Sequence, residues 1–100
     1  LGRANALKAL GDLDREAGLP AEAMKIYQEA LVLYRREQVP MSAAYTAAEM
    51  LRCLHALKGG GAGEQEQQLA ELAVSMAQAS GFEVVLDYVK EVLKEVGLSK

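Results

Sequence analysis

Cys53 and His55 carry the widest chemistry in this chain, and they stand two residues apart. A thiol beside an imidazole could ligate zinc or form a nucleophile and its base. On a helix that spacing turns the two side chains about 200° apart, so neither arrangement closes on one face. Zinc would need further ligands, and the sequence has one cysteine and one histidine. No metal or cofactor is expected. Glu49 lies one helical turn before Cys53 and shares its face, but a carboxylate raises a thiol's pKa and does not activate it. The run Lys58-Gly-Gly-Gly-Ala-Gly63 has no Lys-Ser or Lys-Thr after it and no strand before it, so it reads as a slack turn and not a phosphate loop. Glu64-Gln-Glu66 is the charge a helix N-terminus favours. Met24, Met41, Met50 and Met76 are scattered and read as core filler. No catalytic constellation results, and the chain does not read as an enzyme.

The bulk properties narrow the partners. The chain has 100 residues, 51% of them hydrophobic, which is enough for one small domain with a core. Its net charge of −3 and the lack of clustered Lys and Arg beyond Arg35-Arg36 argue against nucleic acid. No apolar run approaches the roughly 18–20 residues that span a bilayer, so no membrane is expected. A lone cysteine points to a reducing compartment, and cytoplasmic is the expectation. The first residue is Leu1, inside helix-forming sequence, so the chain reads as a piece of a longer protein.

The elements that must position these residues are helices. Alanine and leucine dominate, and glycine or proline punctuates the apolar periodicity at intervals. The spacing predicts a first helix from about residue 3 to 17, with Leu7, Leu10, Leu13 and Ala17 in register and Ala6 and Gly11 beside them. Gly18 closes it and Pro20 opens a second, which presents Ala23, Ile26, Tyr27, Ala30, Leu31 and Tyr34 and ends near 38. Ser42 is a plausible N-cap for a third helix over 43–58. A fourth is predicted over 64–79 and a fifth over 82–96, stopped by Gly97. A step of 41 residues sets Ala6 on Ala47, Leu10 on Leu51 and Leu13 on Leu54; a further step of 38 sets Leu51 on Val89 and Leu54 on Val92. The first, third and fifth helices therefore read as leading helices of successive units. The fifth is apolar over more than half its circumference and is expected to pack on two sides, with self-association through it as the alternative.

From Asn5 to Glu37 the chain resembles one tetratricopeptide (TPR) repeat. Leu7, Leu10 and Gly11 match the large, leucine and small positions of that family's first helix, Gly18 its turn, and Ala23, Tyr27 and Ala30 the alanine, aromatic and alanine of its second. Asp14 departs from the aromatic common there. The second unit is degenerate, with Arg52 in the place of Gly11 and His55 in the aromatic place, and the third is half a unit. The resemblance implies an all-α fold of antiparallel helical hairpins stacked as a short right-handed superhelix, with repeat 1 at 3–38, repeat 2 at 42–80 and a terminal helix at 82–97. Its steps near 40 and the segment Leu33-Tyr34-Arg35 are also similar to TPR arrays of bacterial regulators.

The resemblance further implies a non-enzymatic module that binds a peptide or helix on the concave face of its leading helices. The positions carried over are Asn5, Lys8, Asp12 and Arg15 in the first unit, Thr46, Glu49, Cys53 and Ala56 in the second, and Val84, Asp87, Glu91 and Lys94 in the fifth helix. Asn5, Lys8, Asp12, Arg15, Glu49 and Cys53 are the candidate partner-binding residues. A chaperone-tail clamp would need asparagine where Asp12 stands, and a carboxylate there repels a terminal carboxylate. Two other readings are a ligand-sensing regulatory domain and an oligomerisation domain.

Overall fold

Residues 2–59 and 63–98 are described in the computed structural model, and among them there are five α-helices and no strand. They are α1 (Gly2–Glu16), α2 (Pro20–Arg36), α3 (Pro40–Lys58), α4 (Glu64–Ser80) and α5 (Glu83–Glu95). Each packs against the next, and α3 also packs against α5. Tyr34 meets Asn5 while Tyr27 meets Arg15, which sets α1 and α2 antiparallel. Tyr88 meets Tyr45 while Glu95 meets Arg52, which sets α3 and α5 parallel. The chain is thus all-α, with α1 and α2 an antiparallel hairpin and α5 parallel to α3.

The same turn chemistry links the first three helices. After α1, the Gly18 N–H donates to the Arg15 carbonyl (3.1 Å) and the Leu19 N–H to that of Asp14 (2.9 Å), with Gly18 at φ +80°. After α2, Gln38 and Val39 repeat both bonds to Arg35 (3.2 Å) and Tyr34 (2.9 Å), with Gln38 at φ +59°. This closure satisfies carbonyls that a helix end leaves open. Proline then starts the next helix in both cases, where its missing N–H costs nothing. Pro40 therefore belongs to α3 and does more than end α2. Ser42 is not the N-cap: it lies inside the first turn, and its carbonyl accepts from Thr46 Oγ1 at 2.7 Å.

Gln38 adopts a backbone conformation that glycine takes without strain. Gln38→Gly is expected to raise stability by about 0.5–1 kcal/mol, the relief of a left-handed residue less the entropy that glycine adds to the unfolded chain. A shift of the urea midpoint to higher concentration at unchanged slope would show it; an unchanged or lower midpoint would mean the turn accommodates Gln38 without strain.

The core runs through α3, which has neighbours in α2, α4 and α5 and buries Ala43, Ala44, Ala47, Ala48, Met50, Leu51 and Leu54. Alanine at so many of these positions lets helix backbones approach closely. Tyr27 and Tyr34 of α2 are buried against α1, and Val85, Val89, Val92 and Val96 seal the far end. As expected, α5 packs on two sides, against α3 and α4.

The periodicity of α1 misled on its inner face. Ala4 and Gly11 are buried and Leu7 is half-buried, but Leu10 and Leu13 face solvent. The first step of the overlay also shifts by one: 40 residues, not 41, matches α1 to α3 by burial, setting Ala4 on Ala44 and Gly11 on Leu51, while the 38-residue step still sets the buried Leu51 on Val89 and Leu54 on Val92. One residue of slip rotates a helix by about 100°, which is why Leu10 and Leu51 do not correspond.

Candidate functional site

A polar network joins α1, α2, α3 and α5 in one continuous seam. It begins at Lys8, whose Nζ donates to Asp12 Oδ2 at 2.9 Å. The buried Tyr27 hydroxyl donates to Asp12 Oδ1 (2.5 Å) and accepts from Arg15 Nε (3.3 Å). Arg15 Nη2 then donates to Glu49 Oε2 at 3.4 Å, crossing from the first hairpin to the second. Glu49 is 6% exposed and its other oxygen accepts from Arg52 Nη1 (2.7 Å) and the Tyr88 hydroxyl (3.1 Å). Arg52 completes the chain by gripping Glu95 through Nε (2.7 Å) and Nη2 (3.1 Å), a two-pronged pairing that suits the planar guanidinium.

Local sequence explains how these side chains converge. Lys8, Asp12 and Arg15 follow helical spacing on one side of α1, and Glu49 and Arg52 do so on α3. Gly11 admits the Tyr27 ring beneath this side of α1: a Cβ at Gly11 would stand 2.7 Å from Tyr27 Cδ1 and Cε1. On α5 the Tyr88 ring lies edge-on to Tyr45 (centroids 5.0 Å apart, planes at 63°), with the Arg52 guanidinium 5.4 Å from its centroid. A cation over an aromatic face adds to the pairing with Glu49 and Glu95.

The electrostatics follow from burial and from these partners. The Tyr27 hydroxyl is held protonated well above the usual phenol range, first by burial and then by its bond to Asp12. Burial likewise raises Tyr88. The Arg52 guanidinium is raised by its bonds to Glu95, and Glu95 is held below the ordinary carboxylate range by the same contact. Lys8, Asp12, Arg15, Glu49, Arg52 and Glu95 each meet an opposite charge, so the seam is self-neutralised.

The candidate residues from the sequence separate into two groups. Lys8, Asp12 and Arg15 are half-buried members of the network, and Asn5, exposed, accepts from the Tyr34 hydroxyl at 2.6 Å. Glu49 and Cys53, expected on an open face, are buried, as is Thr46. The reason is that α3 lies between the first hairpin and α5, so the sides of α3 that would be free in an isolated hairpin are covered from both directions. Ala56, Val84, Asp87, Glu91 and Lys94 are exposed. Arg52, Tyr88, Tyr27 and Glu95 are the network members that were not among the candidate partner-binding residues. Arg52 stands one helical turn from Glu49, but Tyr27, Tyr88 and Glu95 find their partners 12 to 43 residues away, where no local spacing marks them.

Cys53 is 1% exposed and burial pushes its thiol up to about 11, with Glu49 and Asp12 adding to the rise and Arg15 opposing it. At pH 8 roughly one thiol in a thousand would be ionised. Cys53 is therefore expected to resist iodoacetamide in the native protein and to react fully in denaturant. Rapid native alkylation, followed by mass spectrometry, would contradict this burial.

Among the described residues no group of His, Cys, Asp and Glu is placed to hold a metal ion, and no helix is long and apolar enough to cross a membrane. No protein-family model matches the chain, and neither a curated protein nor a solved structure matches it.

Proposed function

We propose that this chain is a TPR-like helical-repeat module of a cytoplasmic protein, non-enzymatic, which recognises a peptide or helix along the face shared by α1, α3 and α5. The observation that carries the reading is the polar seam itself. Helices α1, α3 and α5 are linked from Lys8 to Glu95 by one connected network. A braced row of helices is a preorganised surface, which lowers the ordering cost of binding. Because the seam neutralises its own charges, a partner of mixed charge suits it better than a strongly acidic or basic one. Arg15 and Glu49 act in this reading as positioning residues, while Lys8, Ala56 and Asp87 offer contacts.

The test compares affinity capture from source-cell lysate by the parent chain, a face variant (Lys8→Glu with Asp87→Lys) and a control on the exposed side of α2 (Glu22→Lys with Lys25→Glu). All four positions are half-buried or exposed, so each variant is expected to fold, which circular dichroism checks. Loss of a captured protein by the face variant alone supports the reading. Retention by the face variant, or loss by the α2 variant instead, sinks it.

A further inference from the structure

Met24, Met50 and Met76 lie far apart in the sequence, yet the fold brings all three to one trough. Helices α2 and α4 each pack on α3 and run in the same direction along it, and the trough lies between them. A groove of about 390 Å³ is lined mainly by Met24, Gln28, Met50, Gln68, Leu69 and Leu72. A second, of about 350 Å³, continues past Val39 and Met76. Arg35 borders both. Helices α2, α3 and α4 already have their stacking neighbours in α1 and α5, so a further repeat at either end of the chain would not fill this trough.

Charge and size select what the trough takes. The chain carries 14 acidic residues against 11 basic ones, but no Asp or Glu lines either groove. Arg35 is the one charged residue lining them, and it is exposed and enters no ion pair among the described residues. Glu64, which Gln68 holds at 3.2 Å, lines neither groove. An apolar floor with a single cation at its edge matches a ligand with an apolar body and one anionic head, and a guanidinium grips a carboxylate with two parallel bonds. Methionine side chains adapt to such a body. One turn of α-helix, about 10 Å across, fills roughly 400 Å³, as much as the whole larger groove, so a helical partner would rest on the rims. A single acyl chain lies inside, and both volumes fall within the roughly 300–1,000 Å³ of small-ligand sites.

We propose that this trough binds a single-chain carboxylate of the fatty-acid type, its tail over Met24, Met50, Leu69 and Leu72 and its head on Arg35. The site shares no residue with the polar seam, and it stands or falls apart from the peptide-binding reading. For a ligand of about twelve heavy atoms a Kd on the order of 0.1–1 mM is expected.

The probe is decanoate, kept below its micelle concentration and titrated into protein with isotope-labelled methionine methyl groups. In NMR spectra the Met24 and Met50 signals are expected to shift saturably, while Met41, which borders neither groove, stays in place. Arg35→Glu, at an exposed position, is expected to fold as the parent does by circular dichroism and to bind decanoate at least about tenfold more weakly. The decyltrimethylammonium ion, with the same tail and the opposite charge, is expected to bind the parent more weakly by a similar factor. No saturable shift, decanoate binding unchanged in Arg35→Glu, or equal binding of the cation would each overturn the proposal. Shifts produced by an acidic amphipathic peptide but not by decanoate would overturn it too, and would assign the trough to a helical partner.

Discussion

Glu49→Ala is expected to destabilise the fold by about 2–4 kcal/mol, because removing one partner of a buried pair leaves the others uncompensated. The side chain of Glu49 is 9% exposed and answers three donors, Arg15, Arg52 and the Tyr88 hydroxyl. The Arg15 and Arg52 side chains are 27% and 25% exposed and can regain some water, which keeps the estimate below the upper end for fully buried pairs. Arg52 would retain Glu95, whereas Arg15 would lose the carboxylate that ties it to α3. The damage should therefore concentrate between the hairpins. For a chain of this size the Tm is expected to fall by roughly ten degrees or more. Glu49→Gln keeps an acceptor of the same shape and should cost less than the alanine. If Glu49→Ala lowers stability by under about 1 kcal/mol in urea unfolding, the two guanidinium groups simply hydrate, and the network does not brace the seam.

The second large effect is expected at Gly11. A Cβ there would meet the Tyr27 ring at 2.7 Å, and the ring cannot swing aside while Asp12 and Arg15 hold its hydroxyl. Overpacking of this kind costs about 1–3 kcal/mol, partly offset in Gly11→Ala by the roughly 1 kcal/mol that alanine gains over glycine in a helix. Gly11→Val enlarges the clash and has little of that offset, so a loss above about 2 kcal/mol is expected. Gly2→Ala provides the contrast, since nothing lies within 4 Å of its added Cβ. Replacing Tyr27 with leucine in the Gly11→Val background should recover part of the loss, and the cycle should be strongly non-additive. A Gly11→Val chain as stable as the parent would mean that α1 and α2 separate freely, which the close packing of Gly11, Ala23, Ala30 and Tyr27 contradicts.

How far the residues alone led can be judged helix by helix. Gly18, Pro20, the Gly59–Gly63 run and Gly81 punctuate the chain strongly enough that the number and order of helices followed from backbone chemistry, though the run from 60 to 62 lies outside the described residues. Gly11, Ala23, Ala30 and Tyr27 were legible as matches to a repeat's small and aromatic positions, but that Gly11 faces the Tyr27 ring came only from the packing. Pro40 shows the limit of local reading: proline both ends one helix and begins the next, and its second role is visible only when α2 and α3 are seen to share the turn of α1 and α2.

What the tertiary structure alone decided is which side of each helix meets a neighbour. An apolar period fixes a stripe on a helix, but a slip of one residue turns it by about 100° and exchanges Leu51 for Met50. Leu10 and Leu13 repeat with the period of a core, yet no helix covers them, while Glu49, Thr46 and Cys53 look like surface residues and are enclosed. Burial is a property of neighbours, and α3 has them on several sides where α1 does not. The bond from Arg52 to Glu95 joins residues 43 apart. Composition and periodicity thus determined the helices of this protein, and only their packing determined its seam, because a contact depends on the orientation of two helices at once.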